Sequence, residues 1–378
     1  MRVVFLSNYF TPHQRGFSDA LYEATGGNYT FVATVPPEQD RRDLGWDVDD
    51  VPAYVLNRPN LPSAELTSLI LGADALITGS APEELVRPRI KAKKLVFRYS
   101  ERPLKHGPEP LKAPARYVKW HRMNPSQSPI YLLSAGGYAA EDYVRYGLFK
   151  GRAYRWGYFP AMREHDANSL MANKNGDEAI WCGRFLDWKR PCDALAVAKR
   201  LKDKGVDGRL ALVGTGPELG SLQTKAAELG LVGQISIEPS MPYSALLNRL
   251  DHARVLLFTS GYEEGWGVIL NDAMNAGCAV VASDAAGSST FLIQNGVNGF
   301  RYPMGNVGEA TELTARLLQD QALRGRIGRA AYRTIAETWN CDVGANRLLA
   351  LSEAILGGDP APDLYADGPC SLIKGPEL

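Results

Sequence analysis

The sequence predicts an α/β protein with two consecutive Rossmann-like domains, each a doubly wound parallel sheet covered by helices. Short apolar segments alternate with helical segments along most of the chain, a pattern typical of parallel sheets. With 378 residues the chain is also longer than one hydrophobic core usually supports. A polar stretch without periodicity, residues 161–177, separates the two series and is predicted to be the linker.

The first predicted domain spans residues 1–160. Its predicted strands are short apolar runs: Val3–Leu6, Tyr29–Val35, Ala75–Thr78, Leu95–Arg98, Ile130–Ser134 and Ala153–Trp156. Between them lie predicted helices such as Ser18–Ala24 and Ala139–Tyr146.

The second predicted domain spans residues 178–340. Its predicted strands are Ala179–Cys182, Leu210–Val213, Ile235–Ile237, Val255–Phe258 and Ala279–Ala282. Its predicted helices are Asp193–Lys202, Leu219–Leu229, Tyr243–Leu250, Val268–Ala276 and one long helix, Val307–Thr338. Residues 341–378 are expected to form a helix that returns toward the first domain and, after Asp359, a loose tail rich in Pro, Gly and Asp.

Composition narrows the class of protein. Basic and acidic residues balance at 42 each, so bulk charge does not indicate nucleic acid binding. No apolar run reaches the roughly 18 residues that span a bilayer, and Met1–Asn8 is typical of a buried first strand rather than an export signal. The five cysteines are widely spaced, so neither a disulfide framework nor a zinc site is expected. We therefore expect a cytoplasmic protein.

One segment of the first domain is strongly basic. Arg87–Arg122 carries twelve Lys or Arg against two acids, Glu101 and Glu109, with Tyr117 and Trp120 interleaved. This predicts a positive face. Two interpretations remain open: a solvated surface, and a peripheral contact with anionic lipid or with a lipid diphosphate acceptor.

The most informative segment, residues 258–282, has the pattern strand, glycine loop, helix, strand. Gly265 and Gly267 lie at the predicted helix start, where backbone amides and the helix dipole favour a phosphate group. Glu264 and Asp272 supply carboxylates that can accept hydrogen bonds from vicinal hydroxyls. The segment therefore predicts a site for a phosphorylated, hydroxyl-rich ligand.

This segment resembles the signature of glycosyltransferase family 4, whose members are retaining enzymes of the GT-B fold. That signature has an acid, Gly, an aromatic residue, Gly, and a second acid eight positions after the first. Here Trp266 stands where Phe or Tyr is usual, and Asp272 replaces the usual Glu. The resemblance implies that Glu264 orients the donor sugar, that Gly265, Trp266 and Gly267 line the donor site, and that Asp272 binds ribose hydroxyls.

Two further elements follow in the family's order. Gly183–Lys189 resembles the element whose Arg and Lys hold the diphosphate, which implies that Arg184, Lys189 and Glu264 are the catalytic residues. Gly214, Gly216 and Met241 lie in turns that resemble the nucleotide-binding turns. The implied reaction moves a hexosyl or related group from a nucleotide-diphosphate sugar, with UDP favoured over GDP, to a saccharide or lipid-linked acceptor. It needs no metal and no cofactor, and belongs to polysaccharide or glycolipid synthesis.

The first domain departs from the family. In place of the usual Gly-Gly loop it has Asn8–Gly16, where Gly16 is the one candidate glycine and His13 a candidate ligand contact. The usual histidine after the fifth strand is missing, and Glu101 is a candidate replacement. The acceptor side is therefore the weakest part of the resemblance.

Three other interpretations compete. Gly214–Gly220 followed by Glu238 resembles a dinucleotide fingerprint of an NAD(P)-dependent dehydrogenase, but it follows the second strand of its domain rather than the first. Asp47-Val48-Asp49 offers the acid pair of a metal-dependent glycosyltransferase, yet it does not end an apolar strand. A sugar-nucleotide-binding protein without transfer activity is the third.

Overall fold

The computed structural model describes residues 1–36, 50–58, 62–175 and 179–375. The chain divides into two compact units, which are Met1–Ala161 with Trp339–Leu378, and Met162–Thr338. The Asp47-Val48-Asp49 segment lies outside the described residues.

The first unit contains a seven-stranded sheet in the order β3-β2-β1-β4-β5-β6-β7, with every neighbouring pair parallel. Its strands are β1 Val3–Ser7, β2 Tyr29–Ala33, β3 Val55–Asn57, β4 Ala75–Thr78, β5 Val96–Ser100, β6 Ile130–Ala135 and β7 Ala153–Trp156. The strand order reverses between β1 and β4, which is the doubly wound topology.

The second unit contains a six-stranded parallel sheet in the order β10-β9-β8-β11-β12-β13. Its strands are β8 Ala179–Cys182, β9 Leu210–Val213, β10 Ile235–Glu238, β11 Val255–Phe258, β12 Ala279–Ser283 and β13 Phe300–Tyr302. Four of them, β8, β9, β11 and β12, are buried along their whole length, as expected of parallel strands covered on both faces. The predicted fold class, two doubly wound Rossmann-like domains, is confirmed.

Helices cover both sheets. In chain order they are α1 Pro12–Ala24, α2 Ser63–Gly72, α3 Glu83–Lys91, α4 Ala113–Met123, α5 Gly137–Val144, α6 Ala167–Ala172, α7 Pro191–Asp203, α8 Leu219–Glu228, α9 Tyr243–His252, α10 Ile269–Asn275, α11 Gly287–Leu292, α12 Val307–Gln319, α13 Gln321–Glu337 and α14 Cys341–Leu356. Helix α14 follows the second unit in sequence but packs against α1 in the first. None of the helices in the described ranges is long and apolar enough to cross a membrane.

Two expectations about chain organisation need correction. The predicted long helix Val307–Thr338 is two helices, because Asp320 leaves helical geometry and its side chain accepts a hydrogen bond from the Leu323 amide to start α13. The predicted linker is not irregular throughout, since it contains α6, which Asp166 caps at its N-terminus.

The predicted loose tail is wrong for the part that the structure describes. Cys370 and Ser371 are fully buried, and the segment pairs with β7 through antiparallel backbone hydrogen bonds to Arg155. The hydroxyls of Tyr131 and Tyr154 donate to carbonyls of the tail, at Pro360 and Pro362. The tail therefore covers the edge of the first sheet, which would otherwise expose unpaired backbone groups.

Candidate functional site

Two loops of the second unit meet at the carboxyl ends of β8 and β11. These strands are neighbours at the point where the strand order reverses, so the loops that follow them lie side by side. The Thr259 hydroxyl donates to the Lys189 carbonyl at 2.7 Å, and the Gly261 amide donates to the Trp188 carbonyl at 2.7 Å. The buried Trp181 indole donates to the Thr259 hydroxyl oxygen at 2.8 Å and fixes it in place.

An ion pair joins the two loops. Lys189 Nζ lies 2.5 Å from Glu264 Oε2, and the two side chains are 14% and 11% exposed. The Ser260 hydroxyl donates to the same carboxylate oxygen at 2.9 Å. The ammonium group also lies 4.8 Å from the ring centroid of Trp188. Because both charged side chains are largely buried and are held by hydrogen bonds to both loops, they form a preorganised polar site rather than a surface ion pair.

The loop after β11 requires glycine at Gly267. Its φ is +92°, and a Cβ there would lie 2.4 Å from Cζ of Phe258. Helix α10 begins two residues later, at Ile269, and not at Val268 as predicted. Gly265 is buried in the same loop.

The turn after β9 packs directly on the loop after β8. A Cβ on Gly214 would lie 1.9 Å from the carbonyl oxygen of Gly183, and one on Gly216 would lie 2.4 Å from that of Phe185. These glycines therefore permit close approach between two backbones. They follow the second strand of the unit, so they do not occupy the first-strand position of a dinucleotide fingerprint.

Trp266 is expected to line the donor site, and its side chain is buried within the second unit. It is 1% exposed, and its indole nitrogen donates to Asn271 Oδ1 at 2.8 Å. The aromatic position of the signature is thus used to pack the glycine loop against the start of α10.

Asp272 is the fourth residue of α10 and is 4% exposed. Its Oδ1 accepts a hydrogen bond from the Tyr243 hydroxyl at 2.9 Å. Burial raises the pKa of Asp272 to about 7, while the Tyr243 hydrogen bond and the Arg163 charge act in the opposite direction. Sequence reasoning found Asp272 but not this partner.

Arg184 lies in the loop after β8, and Met241 lies in the turn after β10. Arg184 follows β8, is exposed, and makes no side-chain hydrogen bond or ion pair with the part of the chain that the structure describes. Its guanidinium is therefore available to an anionic ligand. Met241 is half-buried in the turn before α9.

The candidates in the first unit lie in a different setting from the predicted loop. Helix α1 begins at Pro12, so His13 and Gly16 are helical. Gly16 packs against α14, since a Cβ there would lie 2.8 Å from Cys341 Sγ. Burial lowers the pKa of His13 to about 4. Glu101 pairs with Lys105 at 2.6 Å and accepts from the Tyr158 hydroxyl at 3.1 Å.

The predicted positive face is only partly realised. Arg89 is fully buried and donates to the carbonyls of Leu95, Ile70, Ala73 and Asp74. Other members are neutralised by carboxylates, in the pairs Arg98–Glu83, Arg102–Asp142, Lys105–Glu101, Lys112–Glu109 and Arg116–Glu109. The exposed cations that remain on α4 are Lys119 and Arg122.

Sequence reasoning missed Ser260 and Tyr243. A signal for Ser260 was available, because it lies four residues before Glu264 and two residues after a buried strand. Nothing local pointed to Tyr243, which lies 29 residues before its partner. Within the described ranges, no group of three or more His, Cys, Asp or Glu residues is arranged to hold a metal ion.

Two Rossmann-like parallel-sheet units, with a site at the strand-order reversal of the second, define the GT-B class of glycosyltransferase folds. Residues 162–334 match the family described as glycosyl transferases group 1. This match covers Arg184, Lys189, Glu264 and Asp272.

Individual proteins resemble the chain over different extents. It is 25% identical over 176 residues to the uncharacterized glycosyltransferase YqgM of Bacillus subtilis, covering 47% of this chain and 48% of that protein. It is 24% identical over 176 residues to the alpha-D-kanosaminyltransferase of Streptomyces kanamyceticus, covering 47% of this chain and 45% of that protein. The matched region thus spans about half the length of each relative.

A solved structure extends the similarity of fold to most of the chain. HepE from Anabaena, crystallised in complex with UDP, superposes with a TM-score of 0.68 over 94% of this chain and 100% of that chain, at 14% identity. The similarity to a GT-B fold therefore includes both units.

Proposed function

We propose that the chain is a retaining glycosyltransferase that moves a sugar from a nucleotide-diphosphate sugar to a saccharide or lipid-linked acceptor. The observation that carries this is the Lys189–Glu264 pair, held between the loops after β8 and β11. The first of these loops also carries Arg184, which is exposed and has no side-chain partner among the described residues. Two cations and a carboxylate are the groups that a departing diphosphate and a hydroxyl-rich sugar require.

Each of these side chains has a proposed part in the reaction. Arg184 and Lys189 stabilise the charge that builds on the leaving diphosphate oxygen as the anomeric C–O bond breaks. Glu264, whose Oε2 is held by Lys189 and Ser260, orients the sugar by accepting hydrogen bonds from its hydroxyls. The leaving phosphate oxygen takes the proton of the acceptor hydroxyl, and the new C–O bond forms on the same face of the sugar. No metal is needed, because the two side chains supply the positive charge.

The proposed donor carries UDP rather than GDP. The HepE complex with UDP supports this choice, as a protein of the same fold crystallised with that nucleotide. Gly214, Gly216 and Met241 are the proposed nucleotide contacts, together with the loop residues Gly265, Trp266 and Gly267 and the carboxylate of Asp272. The proposed setting is the synthesis of cell-surface polysaccharide or glycolipid in the cytoplasm.

A peripheral membrane contact is proposed for the exposed side of α4 and the turn before it. Leu111 is 97% exposed, Tyr117 and Val118 are exposed, and Lys119 and Arg122 add positive charge. Flotation with phosphatidylglycerol vesicles is expected to recover the protein, and Lys119→Glu with Arg122→Glu is expected to abolish recovery. Equal recovery with phosphatidylcholine vesicles would refute an electrostatic contact.

Donor turnover tests the proposed activity. The purified chain is incubated with UDP-, GDP- and ADP-hexoses, and release of the nucleoside diphosphate is measured. We expect release from a UDP-hexose and at least a tenfold loss in Glu264→Gln and in Arg184→Ala. Arg333→Ala is the matched control, since Arg333 is an exposed arginine on α13 of the same unit.

The outcomes separate the proposed function from its alternative. Binding of a nucleotide sugar without release of nucleotide, even with added saccharide acceptors, would favour a sugar-nucleotide-binding protein. Where release occurs, NMR of the freed sugar gives the stereochemistry, and retention of the donor's anomeric configuration is expected. If the chain neither binds any of the three donor types nor releases nucleotide from them, both the transferase and the sugar-nucleotide-binding protein are contradicted.

A further inference from the structure

Tyr243, which has no assigned part so far, forms a hydrogen-bonded pair with Asp272, the residue that the resemblance assigns to the ribose hydroxyls. Tyr243 begins α9, directly after the turn that contains Met241, and its side chain is 39% exposed. Asp272 lies on α10 and is 4% exposed. The 2.9 Å hydrogen bond from the Tyr243 hydroxyl to Oδ1 joins the exposed ring to the buried carboxylate. Oδ2 has no donor among the residues that the structure describes.

Few groups act on this carboxylate. The Tyr243 hydroxyl on α9 and the Arg163 charge in the segment before α6 both lower the pKa of Asp272. Arg163 is itself held by both oxygens of Asp251, at 2.5 and 2.8 Å, so it gives Asp272 no direct partner. Asn275, on the next turn of α10, is engaged with the Arg163 backbone. The orientation of the Asp272 carboxylate therefore depends on the phenol of Tyr243.

We propose that Tyr243 is a positioning residue for the donor nucleoside, because its hydroxyl holds Asp272 Oδ1 and thereby presents Oδ2 to the ribose hydroxyls. This inference rests on the proposed function, which supplies the nucleotide. It assigns to Tyr243 a part in recognising ribose and no part in recognising the diphosphate. Ribose hydroxyls are good donors to an ionised carboxylate, and such bonds are stronger than those between neutral groups.

The hydrogen bond also controls the ionisation of Asp272. Donation from Tyr243 stabilises the carboxylate and opposes the effect of burial, so its loss raises the pKa of Asp272 further. A protonated carboxyl group is a weaker acceptor for the ribose. Without the phenol, the ribose preference is therefore lost near neutral pH and returns only at higher pH.

The experiment compares ligands that differ only in the ribose. Affinities of UDP and 2′,3′-dideoxy-UDP for the full chain are measured by calorimetry from pH 6 to 9, so that ionisation of the phosphates cancels in their ratio. GDP and its dideoxy analogue are measured in the same way. We expect wild type to prefer the hydroxylated nucleotide by about tenfold above pH 7. In Tyr243→Phe the preference falls to about twofold at pH 7, while affinity for the dideoxy nucleotide is unchanged.

Two variants complete the comparison. Tyr332→Phe removes a phenol whose oxygen bonds the backbone of His165 within the same unit, and it is expected to keep the wild-type ratio at every pH. Asp272→Asn is expected to lose the preference without any dependence on pH. An unchanged ratio in Tyr243→Phe, with normal UDP binding, would overturn the inference and leave the proposed function intact. If neither nucleotide binds wild type, the proposed function fails as well.

Discussion

Lys189 Nζ and Glu264 Oε2 lie 2.5 Å apart although 75 residues separate them in the chain. The contact exists because β8 and β11 are adjacent in the sheet, and because the Thr259 hydroxyl and the Gly261 amide donate hydrogen bonds to the loop after β8. In the proposed reaction the Lys189 ammonium group contacts both Glu264 and the diphosphate. Substitution of either Lys189 or Glu264 is therefore expected to disturb the pair.

Removing one partner of this pair should destabilise the protein more than removing both. Lys189→Met leaves the Glu264 carboxylate without its ion-pair partner at a position that little solvent reaches. We expect this to lower the free energy of unfolding by on the order of 2 to 3 kcal/mol. Lys189→Met combined with Glu264→Gln removes the unpaired charge and should recover at least half of that loss. Urea denaturation of the three variants measures the coupling. Additive losses would mean that the two side chains do not interact as described.

Gly267→Ala is expected to damage the site through the backbone. The added Cβ would lie 2.4 Å from the Phe258 ring at a φ of +92°, so the loop must shift. We expect a lower melting temperature and loss of nucleotide binding. Gly220→Ala is the control, because a Cβ there meets no atom within 4 Å and alanine suits the helical position on α8. A normal nucleotide affinity in Gly267→Ala would contradict the described loop.

Asp272→Asn should change how stability depends on pH. Because the pKa of Asp272 is raised to about 7, the native state keeps a proton that the unfolded chain releases near pH 4. The contribution of Asp272 to stability therefore falls as pH rises from about 4 to about 7. The amide that replaces the carboxyl group in this variant cannot ionise, and its oxygen still accepts from Tyr243.

The variant should therefore exceed wild type in stability at pH 8, by on the order of 1 to 4 kcal/mol. Most of this difference should vanish by pH 5. Thermal unfolding at a series of pH values measures it. A difference that does not vary with pH would show that Asp272 does not titrate in this range.

Deleting residues 359–378 should destabilise the first unit. The tail pairs with β7 and accepts hydrogen bonds from Tyr131 and Tyr154, so its loss exposes the sheet edge and the buried surface beneath Cys370. We expect a fall of several degrees in the melting temperature and increased aggregation. An unchanged melting temperature would indicate that the tail adds no stability.

The buried strands were predictable because parallel strands covered on both faces are continuous apolar runs. Ala75–Thr78, Ala179–Cys182, Leu210–Val213 and Val255–Phe258 are therefore found with the bounds predicted. The strands β3 and β13 were not predicted, since each has only three residues. The break at Asp320 has a local signal, an N-cap residue, within an otherwise continuous helical pattern.

The site was predictable only in part. Glycine loops and charged residues after buried strands pointed to Arg184, Lys189 and Glu264, and the resemblance supplied their roles. The burial of Trp266, the packing of Gly16 against Cys341 and the order of the tail all depend on contacts distant in sequence. Local composition carries no information about such contacts.

Calorimetric titration with UDP tests the central claim most directly. Wild type and the control Arg333→Ala should bind UDP with equal affinity, while Arg184→Ala and Lys189→Met should each lose at least tenfold, because each removes a cation from the proposed diphosphate site. Wild-type affinity in both Arg184→Ala and Lys189→Met would contradict the claim that these cations bind the donor diphosphate. Absence of UDP binding by the wild-type protein would contradict it as well.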